Sequence, residues 1–505
     1  MRFRFWTPLL FCVALLSTTR GIFFLIYSYF IFSSPYEIFH FEAVMVYLSR
    51  RVALGLTLYP DWSQPPHIPN FYGPLDFWIV GILGRCLNAG LPGLFEIGRG
   101  VSLISALITS LLIFFFLKKR YGIGPGILGM VSSLGTAPMF GFSVMVRPDA
   151  MSETLGFAGF WLGNGRSIKR MVASGIVLAL AILAKQTAGL FLLATLAALV
   201  FSRRPRDAAI VLGSCLVALL LIAVVATISG EPHLAAGLIG QARFAPSIAA
   251  FKPIIVRLAV LSPDLLVFSI LGLAFWTMGK TREPDLAALT AVILMVSLAT
   301  AFKPGSDLNY YLNLRIVEPL VIGKLWSLTR TAKGQAVRGL VFGLVLGTLS
   351  LVPGVRHAAM QVLNAKKNAE NFAGPLGIGR LRVQDRLFRF AADPKLNVLS
   401  DSGIVALHQG ERAAFSDPWM FRALVTTGQI EPKAIEERLL ASGYDYLILT
   451  SPLGPEYESY EFGLPPKLAR IAAGRYVHVD TRLWYFIYEP KTLERSPSQL
   501  LPATK

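Results

Sequence analysis

Long apolar runs separated by short polar clusters make up about the first 350 residues of the chain. A bilayer core about 30 Å thick needs roughly 20 apolar residues for each helix that crosses it. The runs that meet this requirement are residues 8–31, 98–117, 124–146, 149–165, 171–184, 187–201, 208–228, 257–278, 285–302, 310–328 and 337–354. The pattern therefore predicts an all-α polytopic membrane domain with about 11 transmembrane helices.

A further apolar run, residues 75–91, is short and contains Asp76 and Arg85. If residues 75–91 do not cross the membrane, the basic clusters, such as residues 118–120, all lie on the same side of it. An excess of Lys and Arg is typical of cytoplasmic loops. We therefore predict an interfacial helix here, a cytoplasmic N-terminus and a periplasmic C-terminal domain. Arg20 lies near the middle of the first span, where a charge is costly, and we expect it to face the protein interior or an aqueous cavity.

The composition changes to that of a soluble domain near residue 355. The segment EPKAIEERLLAS predicts a helix, while NVLSD, YDYLILT, YVHVD and LWYFIYEP predict strands. The chain thus divides into a transmembrane domain, 1–354, with a long first periplasmic loop, 33–97, and a small C-terminal α/β soluble domain, 355–505.

Composition narrows the class of protein. The chain is 54% hydrophobic and 15% charged, with a mean hydropathy of +0.56, which is too apolar for an ordinary soluble protein of this length. Its net charge of +18 comes from short clusters between apolar runs, without a basic stripe with interleaved aromatic residues, so we expect no nucleic-acid partner. Cys12, Cys86 and Cys215 all precede the C-terminal domain, which excludes a disulfide framework there.

Four polar groups fall at the predicted outward ends of the spans. They are Glu37 and Glu42 in the first loop, Arg147 and Asp149 in VMVRPDAMSE, Lys185 and Gln186 in ILAKQTAGLFL, and Lys303, Asn309, Tyr310 and Arg315 in FKPGSDLNYYLNLRIVEP. Such a carboxylate can take a proton from a hydroxyl group, and such cations can bind phosphate oxygens. Each group alone also fits solvated loop charges or a structural ion pair, but their convergence on one face favours a functional site.

Signals for other chemistries are missing: the chain contains no HExxH, CxxC, Walker-type lysine loop or nucleophile-elbow serine. The glycine-rich run GIGPGILG, from Gly122, lies at the start of a span with no strand before it. We interpret these glycines as helix-packing and turn residues.

At these motifs, about the first 330 residues resemble the GT-C superfamily of membrane glycosyltransferases, which includes protein mannosyltransferases and the aminoarabinose transferase of lipid A. The matching pieces are an acid near the start of the first loop, GxxLYPD with Tyr59, YGPL with Tyr72, then RPDA, LAKQT and KPGSDLNYY. Their combination looks like a bacterial branch similar to glycosyltransferase family 39.

The resemblance implies that a sugar moves from a polyprenyl-phosphate donor to a lipid, glycan or protein acceptor by inverting displacement, in the bacterial inner membrane. Phe41-Glu42 stands where the family has an Asp-Glu pair, so Glu42 is the expected base and Glu37 its competitor. Asp149 would be the second essential acid, and Arg147 and Lys185 would hold the donor phosphate. The remaining expected substrate-binding residues are Tyr59, Tyr72, Gln186, Lys303, Asn309 and Tyr310.

No cofactor is expected, although some members of the superfamily use a divalent metal. The competing function is a polytopic transporter or lipid flippase, whose charged residues would line a path across the membrane. A non-catalytic assembly factor would explain the C-terminal domain but leaves the four motifs without a role.

Overall fold

The computed structural model describes residues 7–32, 34, 37–38, 41–136, 140, 142–240, 246–277, 283–303, 308–331, 335–373 and 375–491. They form two compact units. The first comprises Met1–Pro35, Phe71–Ser229 and Leu238–Ala369, and the second comprises Tyr36–Asn70, Gly230–Gly237 and Glu370–Lys505. This division differs from the predicted domains 1–354 and 355–505, because most of the first loop clusters with the C-terminal residues.

Helices dominate the chain. In chain order they are α1 (Thr7–Phe32), α2 (Phe41–Ala53), α3 (Leu75–Cys86), α4 (Leu91–Tyr121), α5 (Ile123–Leu134), α6 (Asp149–Gly163), α7 (Ile168–Ala184), α8 (Gly189–Phe201), α9 (Pro205–Ile228) and α10 (Leu234–Gly240). They continue with α11 (Ile248–Leu261), α12 (Pro263–Thr277), α13 (Pro284–Thr300), α14 (Leu314–Thr331), α15 (Gln335–Ala373), α16 (Pro375–Ala392), α17 (Gly403–Gln409), α18 (Pro418–Thr426), α19 (Lys433–Leu440) and α20 (Pro466–Arg475).

Several helices are suited to a bilayer. Among the described residues, four are long and apolar enough to cross a membrane: Pro8–Phe32, Leu91–Tyr121, Pro205–Ile228 and Gly339–Lys367. A fifth would count if α11 and α12, which are bent by 88° at their junction, form one broken span. The chain is thus a helical membrane protein with a small C-terminal sheet, as predicted, while the number of about 11 crossings stays a prediction.

Helices α6 and α7 form a closely packed hairpin in the first unit. A short connection, residues 164–167, reverses the direction of the chain. The start of α6 and the end of α7 therefore lie at the same end of the pair. Gly159 makes the close approach possible, because a Cβ atom there would lie 2.6 Å from the side chain of Leu178. The apolar sequences of both helices thus bring residues 149 and 185 together.

Arg20 lies in the protein interior, as predicted. Its guanidinium group is fully buried and donates to Asp264 at 2.6 Å and to Glu318 at 3.0 Å. The two carboxylates come from α12 and α14, so this network ties three helices of the first unit together. A cation buried in an apolar surrounding is tolerated when it is paired and hydrogen-bonded in this way.

The second unit contains a four-stranded sheet formed by β1 (Val398–Ser400), β2 (Tyr446–Leu449), β3 (Tyr476–Arg482) and β4 (Tyr485–Pro490). Its strand order is β1-β2-β4-β3, with β1 parallel to β2 and the other pairs antiparallel. Each strand overlaps one of the four segments for which strands are predicted, and α19 lies in the predicted helix. The C-terminal α/β fold is therefore confirmed.

The Arg20 network predicts a large loss of stability when its cation is removed. Arg20→Gln should lower the free energy of unfolding by about 3–5 kcal/mol, because Asp264 and Glu318 remain buried without their cation. Thermal unfolding of the full chain in detergent micelles measures the effect. Arg166→Gln, at an exposed position, is the control and should change stability by less than about 0.5 kcal/mol. Equal melting temperatures for both variants would contradict this role of Arg20.

Candidate functional site

Asp149 is the first residue of α6 and follows Pro148, which occupies the N-cap position. Proline is favoured at a helix start because its fixed φ suits the helix and its missing N–H costs nothing there. A carboxylate in the first turn interacts favourably with the positive end of the helix dipole. The sequence RPD therefore fixes both the start of α6 and the position of the Asp149 carboxylate.

Lys185 follows the last residue of α7 in an extended conformation, with φ −154° and ψ 128°. The break in the helix turns its side chain to the start of α6. Its Nζ lies 2.5 Å from Oδ1 of Asp149, and Nε of Arg147 donates to Oδ2 at 3.1 Å. All three side chains are buried, so one carboxylate is held between two cations.

A third segment reaches the same carboxylate from the loop before α14. A short 3₁₀ helix, Leu308–Tyr311, positions Asn309, whose Nδ2 donates to Oδ1 of Asp149 at 3.3 Å. The ring of Tyr310 lies 5.1 Å from Nζ of Lys185, and its hydroxyl group lies 3.3 Å from Nζ of Lys303. The structure thus brings three of the four sequence-predicted groups together in the first unit.

The segment before α3 packs against this cluster. Gln186 donates from Nε2 to the carbonyl of Phe71 at 2.8 Å, which gives its amide a structural role. Gly73 lies so close to the end of α7 that a Cβ atom there would be 1.9 Å from the carbonyl oxygen of Leu183. Tyr72 is half-buried, with its ring edge-on to Phe77 at 6.4 Å. Substrate contacts for Tyr72 and Gln186 stay predictions.

Asp76 is a buried carboxylic acid that sequence reasoning used only as an argument against a membrane span. It lies in the first turn of α3, and its Oδ2 has no hydrogen-bond partner among the described residues. Burial and the nearby charge of Asp149 raise the pKa of Asp76 to about 7. A carboxylate inside an otherwise apolar run was the signal that could have identified it.

Lys303 is the third cation of the cluster. Burial, together with the positive charge of Lys185, lowers the pKa of the Lys303 amine to about 8. A lysine with such a pKa is still mostly charged at neutral pH but loses its proton within a physiological range. The cluster therefore contains a cation whose charge depends on pH.

Sequence reasoning missed a second buried ion pair on α6. Glu153 lies one helical turn after Asp149, on the same face, and its Oε2 accepts from Nε of Arg315 at 2.5 Å. Both side chains are fully buried. The four-residue spacing of the acids in DAMSE was the signal, but the partner of Glu153 is 162 positions later in the chain.

The fourth predicted group, the acids of the first loop, belongs to the second unit. Glu42 lies in the first turn of α2, and its Oε2 accepts the backbone N–H of Ile38 at 2.8 Å. Its side chain is fully buried. The expectation that Glu42 shares one pocket with Asp149 concerns two separate units and stays a prediction.

Helix α2 binds the C-terminal part of its own unit through polar contacts. Arg50 donates to the carbonyl of Leu407 at 2.7 Å, and Arg51 forms an ion pair with Glu411. The hydroxyl group of Tyr47 also donates to the carbonyl of Gly410 at 3.2 Å. These contacts explain why the long first loop forms one compact unit with the C-terminal residues.

Glu37 and Tyr59 have different surroundings in this unit. Glu37 lines a cavity and its Oε2 has no hydrogen-bond partner among the described residues; burial and the charge of Glu42 raise its pKa well above the ordinary value. Tyr59 is buried, and its backbone N–H donates to Glu231 at 2.8 Å. The geometry gives Tyr59 a packing role, while its predicted substrate contact stays a prediction.

No group of three or more His, Cys, Asp and Glu side chains that could hold a metal ion occurs within the described ranges. The arrangement around Asp149 is instead built from cations and amides. Such donors suit a phosphate or another anion rather than a metal. The expectation that no cofactor is needed stays a prediction.

Two comparisons relate the chain to known proteins. Residues 93–228 match the family model described as dolichyl-phosphate-mannose-protein mannosyltransferase. This region includes Arg147, Asp149 and Lys185, which form the core of the cluster. No curated protein sequence matches the chain.

The fold is similar to crystal structures of ArnT from Cupriavidus metallidurans. The apo state is 12% identical with a TM-score of 0.54, over 92% of this chain and 97% of that one. The state bound to undecaprenyl phosphate is 13% identical with a TM-score of 0.54, over 96% of this chain and 97% of that one. This similarity shows that the chain shares the fold of these structures, which is the fold expected from the resemblance.

The close approach at Gly73 predicts a specific sensitivity to substitution. Gly73→Ala should destabilise the full chain by about 1–3 kcal/mol, because the new Cβ atom would overlap the carbonyl of Leu183 and displace α3 from the end of α7. Thermal unfolding in detergent measures the loss. Gly189→Ala is the matched control, since a Cβ atom there would meet nothing within 4 Å. Equal destabilisation by both substitutions would show that the packing of Gly73 is unimportant.

Proposed function

We propose that this chain is a membrane glycosyltransferase that transfers a sugar from a polyprenyl-phosphate donor to an acceptor hydroxyl group. The observation that carries the proposal is the buried cluster in which Arg147, Lys185 and Asn309 all contact Asp149. The family match over residues 93–228 and the ArnT-like fold support the same class of enzyme. The sugar and the acceptor are left open.

The charge balance of the cluster favours an anionic ligand. Arg147, Lys185 and Lys303 bring three cations, whereas Asp149 is the carboxylate that contacts two of them. Asp76, with its pKa near 7, is partly protonated at neutral pH and neutralises less than a full charge. The surplus positive charge is suited to the phosphate of a lipid-linked donor, because charge-assisted hydrogen bonds to phosphate are strong.

Buried atoms without partners also support a ligand site here. Oδ2 of Asp76 and Oδ1 of Asn309 have no hydrogen-bond partner among the described residues. A buried polar atom left unpaired costs about 1–3 kcal/mol, and such atoms in native structures need an explanation. Hydroxyl groups of a bound sugar would supply the missing hydrogen bonds.

In the proposed reaction, the acceptor oxygen attacks the anomeric carbon and the bond from that carbon to the phosphate oxygen breaks. The hydroxyl proton passes to a carboxylate of the first loop, Glu42 by resemblance and Glu37 as the alternative. Polyprenyl phosphate leaves with the bonding electron pair, and Arg147 and Lys185 stabilise its developing negative charge. Asp149 orients both cations through its two carboxylate oxygens.

The donor lipid and the location are part of the proposal. ArnT, which shares the fold, has a structure with bound undecaprenyl phosphate, and a lipid of this type would lie along the apolar helices. We place the enzyme in a bacterial inner membrane, with a cytoplasmic N-terminus and a periplasmic C-terminal domain. This orientation follows from the positions of the basic clusters. The acceptor would be a lipid, a glycan or a protein.

The transporter alternative has less support. Charged residues of a transporter should line a path through the membrane, yet Arg20, Asp264 and Glu318 are fully buried and bind one another. Glu153 and Arg315 are buried and paired in the same way. These networks hold helices together, whereas the surplus of cations occurs at Asp149.

Two single substitutions test the different roles proposed for Lys185 and Glu42. Lys185→Gln should raise the donor KM about 10–100-fold, because a charged hydrogen bond to phosphate contributes about 1.5–3 kcal/mol. Glu42→Gln should lower kcat about 10²–10⁴-fold with little change in KM, because general-base catalysis contributes a factor of that size. Transfer of radiolabelled sugar from undecaprenyl-phosphate-linked sugars is measured in membranes that contain the full chain.

Lys119→Gln is the control for charge removal, since Lys119 is exposed at the opposite end of α4 from Leu91. It should leave both kinetic constants unchanged. A parallel series with Glu37→Gln identifies which first-loop acid is the base. Unchanged transfer in both Glu42→Gln and Asp149→Asn would overturn the proposed reaction.

The lowered pKa of Lys303 predicts a pH dependence of donor binding. As the pH rises through about 8, the amine loses its charge, so affinity for undecaprenyl phosphate should fall about tenfold between pH 7 and pH 9. Lys303→Arg should make this decline smaller, because arginine stays charged over the whole range and only the deprotonation of Asp76, whose pKa is about 7, remains. Titration of the purified chain with undecaprenyl phosphate measures the affinity, and identical pH profiles for both proteins would refute the role of Lys303.

A further inference from the structure

The second unit contains a cavity of about 310 Å³ that is separate in its chemistry from the Asp149 cluster. Its lining combines the start of the first loop, including Glu37 and Phe41, with C-terminal residues such as Trp419, Phe462 and Trp484. The volume lies at the lower end of the range for small-molecule sites, roughly 300–1,000 Å³. This size suits one sugar ring and a part of its neighbour.

Aromatic rings form much of the cavity wall. Phe41 and Phe462 meet edge-to-face with their centroids 6.1 Å apart, and Tyr460 packs against Phe462 at 5.8 Å. Trp484 is 50% exposed and Trp419 is half-buried, so both indole rings remain accessible. Large, rigid aromatic faces with polar edges suit a ligand that has an apolar face and a hydroxyl-rich edge.

The carboxyl groups of the cavity differ in whether they already accept hydrogen bonds from the protein. Asp401 accepts from the backbone N–H of Thr450 and the hydroxyl group of Tyr457, both at 2.7 Å. Asp417 accepts the backbone N–H of Met420 at 2.9 Å and so caps α18. Oε2 of Glu37, by contrast, has no hydrogen-bond partner within the described part of the chain. Glu37 therefore has hydrogen-bonding capacity left for a ligand.

The charges of the residues that line the cavity indicate which class of ligand it can bind. The described residues that line this cavity include three carboxyl groups and no lysine or arginine. A phosphate or carboxylate would meet no cation here and would be repelled by any ionised acid. Burial and the neighbouring Glu42 favour the protonated form of Glu37 by raising its pKa, and a neutral carboxyl group suits hydroxyl partners. This assignment leaves Glu42, and not Glu37, as the base of the proposed reaction.

We infer that this cavity binds an uncharged, hydroxyl-bearing sugar unit, with Glu37 hydrogen-bonded to its hydroxyl groups and Trp419 and Trp484 in contact with its ring. The further statement that this sugar belongs to the acceptor rests on the proposed function. The acceptor would then be a glycan or a glycolipid whose terminal sugar carries no charge at this position.

Saturation-transfer NMR on the full chain in detergent micelles tests the inference. The probes are methyl glucoside and N-acetylglucosamine as neutral sugars, glucosamine as a cationic sugar and glucose 6-phosphate as an anionic one. At least one neutral sugar should receive saturation that Trp484→Ala removes, whereas any saturation of glucose 6-phosphate, which can bind the cations around Asp149, should be unchanged in that variant. Binding of glucosamine or glucose 6-phosphate without either neutral sugar, or of no probe at all, would overturn the inference.

Two pairs of variants locate the binding. Trp484→Ala and Glu37→Ala should each weaken binding of the neutral sugar by at least about tenfold, equivalent to about 1.4 kcal/mol. Trp62→Ala and Glu456→Ala are the matched controls, because neither residue lines this cavity, and both should bind as the unaltered chain does. Trp484→Phe, which keeps an aromatic face, should retain most of the affinity and shows that the alanine variant fails through the lost ring.

The outcomes distinguish this inference from the proposed function. Wild-type sugar binding by Trp484→Ala and Glu37→Ala overturns the cavity assignment, even where Lys185→Gln raises the donor KM as proposed. Sugar binding that depends on Trp484 and Glu37, with transfer unchanged in Glu42→Gln and Asp149→Asn, supports the cavity and overturns the proposed reaction. A neutral sugar that binds and also competes with the acceptor for transfer supports both.

Discussion

A charge buried in an apolar surrounding needs a partner, and this requirement shapes the first unit. Arg20 satisfies it with two carboxylates from α12 and α14, and Arg315 satisfies it with Glu153. In these two sets no cation lacks a counter-charge. The Asp149 cluster is different because its single carboxylate contacts two cations while Lys303 lies near the same tyrosine. The same electrostatic constraint that holds the helices together elsewhere therefore creates a demand for an added anion at Asp149.

Residues that interrupt an apolar pattern were the most informative part of the sequence. RPD and AKQT lie where helices α6 and α7 begin and end, and a short connection makes the two helices antiparallel, so proximity of Asp149 and Lys185 follows from pattern alone. The pairing of residues that are separated by many helices cannot be inferred from this pattern. One sequence indicates that Arg20 must be paired, but nothing local selects Asp264, 244 positions away, over other acids. Asp76 interrupts an apolar run, as Lys185 does. However, a short apolar run with two charges predicts an interfacial helix and gives no separate indication of a functional site.

The soluble part of the protein shows a different limit of sequence reasoning. Short strand-like runs identified all four strands, and three of these strands are buried along almost their whole length. The attachment of α2 to the C-terminal residues was not predictable, since Arg50 and Arg51 have the appearance of solvated charges on an amphipathic helix. In the structure, Arg50 contacts the carbonyl of Leu407 and Arg51 pairs with Glu411. A hydrogen bond to a backbone carbonyl, such as that from Arg50, does not depend on the side chain of the accepting residue, so the sequence does not indicate it.

Under the proposed function, the two candidate sites have complementary chemistry. A leaving phosphate needs cations, and the Asp149 cluster supplies a surplus of them. An acceptor hydroxyl needs a site where that phosphate does not bind, because a cation beside the acceptor would also attract the donor in an unproductive orientation. Carboxyl groups and aromatic rings meet this second need, since they bind hydroxyl groups and ring faces but repel phosphate. The absence of lysine and arginine from the described lining of the Glu37 cavity is thus as informative about specificity as their concentration around Asp149.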